Sequence, residues 1–274
     1  MKSLNDQTVV VAGATGNVGP FVVRALLERG ASVAASSRSE EKLGGLREHL
    51  REHVDETSLR RLHTFVGNLG DERGAAVLRR RITEQVGTPD GVVASVGDYV
   101  AAPSLLDARA DELRRALDAS LVAHFVIART FLPVLRDSGG TYVLLQGPLA
   151  FELYPGLGGD LVSIATAAQH MLFRALAQEL AESRASVVEL VGHMLIRDRQ
   201  AQPTSPLSGE ELGAFVAYLI AGAGEEVHGQ SIQLRSPEQL ADLGIDADGL
   251  DAIAADGRTP AGAATDLIRS KERR

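Results

Sequence analysis

Seven short β-branched runs, separated by longer amphipathic stretches, set the tightest limit on what this chain can fold into. They are TVVVA (8–12), SVAASS (32–37), LHTFVGN (62–68), GVVASVG (91–97), GTYVLLQG (140–147), ASVVELVG (185–192) and GQSIQL (229–234). The stretches between them, 17–30, 39–54, 71–87, 110–139, 162–183 and 208–222, carry apolar residues at helical spacing. Strands that alternate with helices run parallel, because each return crosses a face of the sheet and covers it. Both faces are then buried, which is why the strands read as apolar runs and not as an in–out alternation. The pattern predicts an α/β fold: a doubly wound parallel sheet of about seven strands flanked by helices.

No linker or repeat divides these elements, so residues 1–235 are read as one domain. After Leu234 the chain turns polar and Gly/Ala/Asp-rich, and 236–274 is expected to be a C-terminal extension of packed short helices or a partly loose tail. With 45% hydrophobic and 23% charged residues the composition is that of a water-soluble globule. A net charge of -8 argues against nucleic acid and anionic membranes as partners. The absence of cysteine excludes disulfides, thiolate metal sites and a cysteine nucleophile. That absence and the polar start MKSLNDQ lead us to expect a cytoplasmic protein with no membrane span.

The first strand runs into AGATGNVGP, where Gly13, Gly16 and Gly19 stand three apart and open a helix. In that context each glycine has its own use. Gly13 allows the tight turn, Gly16 the close approach of a pyrophosphate, and Gly19 the packing of helix on sheet. The helix start offers unpaired N–H groups to phosphates, with Thr15, Asn17 and Val18 alongside, and Pro20 sits where its missing donor costs little. This predicts a Rossmann-type dinucleotide site. The second strand ends in SSRS, with Ser37 and Arg38 where an NAD site carries an acidic residue; a guanidinium pairs with a 2′-phosphate, so the cofactor is read as NADP(H).

With these features, and with FLPVLRDSGGTYVLL, RALAQEL and VHGQSIQL, the chain resembles the short-chain dehydrogenase/reductase superfamily over about residues 6–235. The glycine spacing is that of its extended and atypical branches. The resemblance adds Asn68, Leu69, Ala94, Ser95, Gly97 and Gly192 to the cofactor site, and implies a homodimer or homotetramer. It also implies an Asn-Ser-Tyr-Lys tetrad, whose positions fall here on Ser120, Gly147, Val162 and Thr166. The four tyrosines are Tyr99, Tyr142, Tyr154 and Tyr218, and no lysine lies between Lys42 and Lys271, so no Tyr-x-x-x-Lys pair exists in the chain.

A hydride transfer here needs another proton source: a substitute side chain, solvent or the substrate itself. Residues on loops after the strands are the candidates: Ser95 and Gln146 to hold a carbonyl, Tyr154 and His193 as acids, with Asp98 and Tyr99 facing a substrate. His49 and His53, four apart among charged neighbours, read as a solvated helix face, and His124 and His170 as packing residues; no metal is expected. The favoured function is an NADPH-dependent ketoreductase acting on an apolar, cyclic or polyketide-like substrate. The alternatives are a catalytically silent NADP(H)- or ligand-binding protein and a non-redox cyclase or dehydratase.

Overall fold

The computed structural model describes residues 3–154, 158–193, 196–197, 200–201 and 207–241. Seven strands form one sheet: β1 (Thr8–Ala12), β2 (Ser32–Ser37), β3 (Leu62–Val66), β4 (Gly91–Ala94), β5 (Thr141–Gln146), β6 (Ser186–Gly192) and β9 (Ser231–Leu234). Their order is β3-β2-β1-β4-β5-β6-β9, with all neighbours parallel. Between β6 and β9 in the chain lies an antiparallel pair of two-residue strands, β7 (Ile196–Arg197) and β8 (Gln200–Ala201), which the apolar pattern does not announce.

The helices are α1 (Gly19–Glu28), α2 (Glu40–Arg51), the short α3 (Glu56–Leu59), α4 (Glu72–Gln85), α5 (Ala110–Leu117), α6 (Ala123–Ser138), α7 (Asp160–Glu179), α8 (Gly209–Tyr218), and the short α9 (Gly224–Glu226) and α10 (Glu238–Ala241). Polar residues set several starts: Ser39 accepts from Lys42 N, Asp71 accepts from Gly74 N, and Ser208 forms a reciprocal capping box with Glu211. Helix α6 stops at Gly139, whose φ of 79° is left-handed. The stretch expected as one helix over 110–139 is continuous, but α5 passes into α6 through a π turn at Asp118–Val122. After α8 the helix continues through Leu219–Ala221 and breaks at Gly222, whose φ of 124° is non-helical, where the pattern predicts the helix to close on glycine.

Two apolar layers cover the sheet. On one face Val9, Val11, Val33, Val93 and Leu145 pack with Val22 and Leu26 of α1, Leu46 of α2 and Phe215 of α8. On the other, Val10, Ala12, Val92, Tyr142 and Leu144 pack with Leu78 of α4, Ile127 and Phe131 of α6 and Phe173 of α7. Adjacent residues of one strand serve opposite layers, as the strand period of two requires. Helices α1 and α8 touch at backbone distance: a Cβ on Gly213 would lie 2.5 Å from Phe21 O.

Among the described residues the continuous helix Ala110–Ser138 is long and apolar enough to cross a membrane by length and composition, with a mean hydropathy of 1.4 in its best window. Its Ile127, Phe131 and Leu135 are fully buried against the sheet, as befits a core helix. The boundary at 235 lies within the described residues, and the expected extension 236–274 is described only to Ala241, where it includes α10; the rest lies outside the described residues.

Candidate functional site

Strand order creates the site. β1 pairs with β2 on one side and β4 on the other, so the chain leaves β1 and β4 toward opposite faces and a crevice opens at their carboxyl ends. A cleft of about 310 Å³ lies there. Gly16, Asn17 and Val18 form one wall, Ser95, Val96 and Gly97 a second, and Leu145, Gln146 and Gly147 a third. Gly192 and Leu212 complete it. The structure thus unites eight of the residues singled out from sequence, and adds Val96, Leu145 and Leu212.

The glycine loop is built from close approaches. Gly13 has φ 81°, and a Cβ there would lie 2.0 Å from Ser95 O. A Cβ on Gly19 would stand 2.5 Å from both Gly13 O and Ala14 O, so only glycine lets α1 begin against the loop. Gly16 N donates to Gly13 O at 3.0 Å and Ala14 N to Ser36 O at 3.3 Å, tying the loop to itself and to β2. Thr15 Oγ1 and Ser37 Oγ hydrogen-bond at 2.8 Å. Arg38 follows, exposed, with its guanidinium in no hydrogen bond or ion pair among the described residues. Asn68 is exposed and its Oδ1 accepts from Gly70 N at 2.9 Å, while Leu69 is buried. Ala94 ends β4, and Ser95 N still reaches Ala12 O at 3.0 Å. Residues 95–97, read from sequence as strand, instead leave the sheet and line the cleft.

Behind that loop stands His124, wholly buried on α6, with Nε2 donating to Val96 O at 3.0 Å. Burial pushes its imidazole down to about 4 against a weaker upward pull from that hydrogen bond, so the ring is neutral at neutral pH and Nδ1 has no partner.

The four positions matched to the family tetrad are distributed as follows. Ser120 is buried inside the π turn, its Oγ 3.7 Å from where a Cβ on Gly97 would sit. Gly147 faces open space: a Cβ there would meet nothing within 4 Å. Val162 is buried, and Thr166 turns its hydroxyl back on its own helix, donating to Val162 O at 2.8 Å. Neither lines the cleft.

Of the other candidates, Asp98 accepts from Tyr99 N at 2.9 Å, and both are exposed. Tyr154 donates to Glu152 Oε2 at 2.7 Å; burial and then that carboxylate hold the phenol above its usual range. Hydrogen bonds from Tyr154 and Arg235 hold Glu152 below the usual carboxylate range. His193 has both nitrogens engaged: Nε2 lies 2.7 Å from Gln233 Oε1, and Nδ1 accepts from Arg235 at 3.2 Å. Gln146 is buried at 9% exposure, and its Nε2 donates to Glu189 Oε1 at 2.5 Å. Glu189, Ser231 and Glu152 are polar groups of this region that the sequence does not single out, and His170, read from sequence as a packing residue, bonds Glu189. The available signal is one carboxylate inside the buried run SVVELVG, where an ion must find donors. Among the described residues no group of three or more metal-binding side chains occurs.

The family model "short chain dehydrogenase" matches residues 7–195. An uncharacterised oxidoreductase of Staphylococcus aureus (strain USA300) is 25% identical over 191 residues, 69% of this chain and 78% of that protein. The Pseudomonas aeruginosa RhlG/NADP active-site complex superimposes with a TM-score of 0.73 at 20% identity, covering 86% of this chain and 97% of that one. An NADH-dependent reductase complexed with NAD superimposes with a TM-score of 0.70 at 16% identity, covering 86% and 97%.

Proposed function

The chain belongs to the short-chain dehydrogenase family, and from that premise we propose that it is an NADPH-dependent carbonyl reductase that works without a tyrosine–lysine acid. The observation that carries the cofactor is the unengaged guanidinium of Arg38 at the end of β2, beside the Thr15–Ser37 pair and a glycine loop that admits a pyrophosphate. Nothing acidic stands there until Glu40 to repel a 2′-phosphate. The nicotinamide end would lie toward Ser95, Gln146, Gly147 and Gly192. Bound there, the cofactor would supply hydride; the chain supplies an uncharged cleft wall, with the Ser95 hydroxyl as the group to hold a carbonyl oxygen. Exposed Tyr99, Leu106 and Leu153, on the loops that follow β4 and β5, suit an apolar substrate. With Val162 apolar and Thr166 bonded to its own helix, the proton comes from the substrate or from solvent. A second copy of the chain is the proposed partner: α6 presents Phe125 and α7 presents Ile164 and Met171, apolar side chains 42–56% exposed.

A catalytically silent NADP(H) binder is the second reading, favoured by the same two helix positions and by the empty space at Gly147. Titration of the protein with NADPH and NADH, beside Arg38→Ala, is the test. Wild type is expected to prefer NADPH and the variant to lose that preference by about 1–3 kcal/mol. Failure of both nucleotides to bind refutes both readings. NADPH binding with no oxidation across a panel of cyclic ketones selects the silent binder.

A further inference from the structure

Glu189 sits in β6 with no exposure at all. It lies on the same face of the sheet as Gln146: Leu144 pairs with Glu189 and Gln146 with Val191, so the two are diagonal neighbours. The carboxylate collects donors only. Oε1 receives Gln146 Nε2 at 2.5 Å, and Oε2 receives His170 Nδ1 at 2.7 Å and the hydroxyl of Ser231. The bonds behind it run the same way. Arg235 donates to His193 Nδ1, His193 Nε2–H to Gln233 Oε1, Gln233 Nε2 to Ser231 Oγ at 3.4 Å, and Ser231 to Glu189. An amide nitrogen can only donate, so its contact with Glu189 Oε1 fixes the sense of the Gln146 amide, which does not turn end for end as an exposed glutamine does. Its nitrogen is used inward. Its Oε1 is buried with no hydrogen-bond partner, and Gln146 is one of the residues that line the cleft. An orphaned buried acceptor is unfavourable until a donor meets it.

We propose that Glu189 is a positioning residue that fixes the hydrogen-bonding sense of the cleft: by holding Gln146 through its nitrogen, it leaves Gln146 Oε1 to accept from a donor group of the ligand. That donor is the hydroxyl of an alcohol or hydroxyketone substrate, or the carboxamide N–H of a nicotinamide. The inference rests on the reading of the cleft as a nucleotide-and-substrate site. It also reverses the role sequence assigns to Gln146, which is to hold a carbonyl oxygen: a ketone oxygen or an alkoxide beside Oε1 is repelled, and a hydroxyl is held.

The test compares matched probes that differ in the donor. In one arm, calorimetry without nucleotide compares 1-tetralol with 1-tetralone. In the other, NADP⁺ is compared with its 3-acetylpyridine analogue, which has a methyl ketone where the carboxamide stands. The expected result is a preference of about fivefold for the donor-bearing probe in one arm, the worth of one net hydrogen bond. The arm that shows it assigns the donor to substrate or cofactor. Gln146→Met, which has no comparable acceptor, and Glu189→Gln, which frees the amide to reverse, are expected to bring that ratio to about one. Gln146→Met leaves Glu189 two of its donors, so it keeps the test open where Glu189→Gln fails to fold. No preference in either arm, or a preference that survives Gln146→Met, overturns the proposal. Failure of both nucleotides to bind wild type counts against the cofactor reading alone, because the tetralol arm is read without them.

Discussion

Replacing His124 by glutamine should change how stability depends on pH, and the sign and size follow from its burial. The folded imidazole titrates near 4 and the unfolded one near 6.5. Between those values the unfolded chain binds the extra proton, so the fold loses stability as pH falls through that window and keeps this contribution whole above it. The full span of about 2.5 units corresponds to about 3 kcal/mol, and the part lost between about pH 7.5 and 5 is about 2 kcal/mol. His124→Gln keeps an N–H donor for Val96 O and removes the titration. Urea denaturation of both proteins at the two pH values isolates the effect, since all other groups cancel in the difference. Wild type should lose about 2 kcal/mol more than the variant. Parallel losses would refute the reasoning, by showing that His124 takes its proton inside the folded protein. Because the folded imidazole stays neutral over that window and keeps its bond to the Val96 carbonyl, this residue should give nucleotide affinity no pH dependence between about pH 7.5 and 5.

Gly13→Ala places a Cβ against Ser95 O in left-handed backbone, and is expected to cost more than about 3 kcal/mol in urea denaturation and to abolish nucleotide binding. Tyr142→Phe removes a hydroxyl that is buried without a partner, so thermal denaturation should show equal or higher stability, by up to about 1 kcal/mol. Gly147→Ser enters open space and should leave stability within about 0.5 kcal/mol in urea denaturation, while placing a hydroxyl on the cleft wall.

Most of the fold was legible in the sequence because its signals are local. Each buried strand is an apolar run, several helices have a polar cap or a glycine stop, and the strand–glycine–helix passage at 8–28 fixes the loop. What was not legible depends on partners distant in the chain. Leu212 reaches the cleft only because α8 is drawn onto α1 by two glycines. The π turn at Asp118–Val122 leaves the helical pattern on either side intact, so periodicity does not reveal it. Glu189 was visible as a lone acid in an apolar strand, but its donors come from β5, α7 and β9, which no spacing connects. Tyr154 and His193 looked free on loops, and each proved to be bonded within the rim.

The reversal of strand order between β1 and β4 separates two properties that other site designs combine. A site assembled from converging side chains disappears when those side chains are replaced. Here the crevice comes from the direction in which backbone leaves the sheet, so substitution along its walls changes the occupant and the chemistry but leaves a place to bind. Reactivity and occupancy can then be inherited independently. A lineage that loses its acid keeps a ligand-binding protein, and one that later gains a hydroxyl at a vacant wall position acquires reactivity without rebuilding the fold.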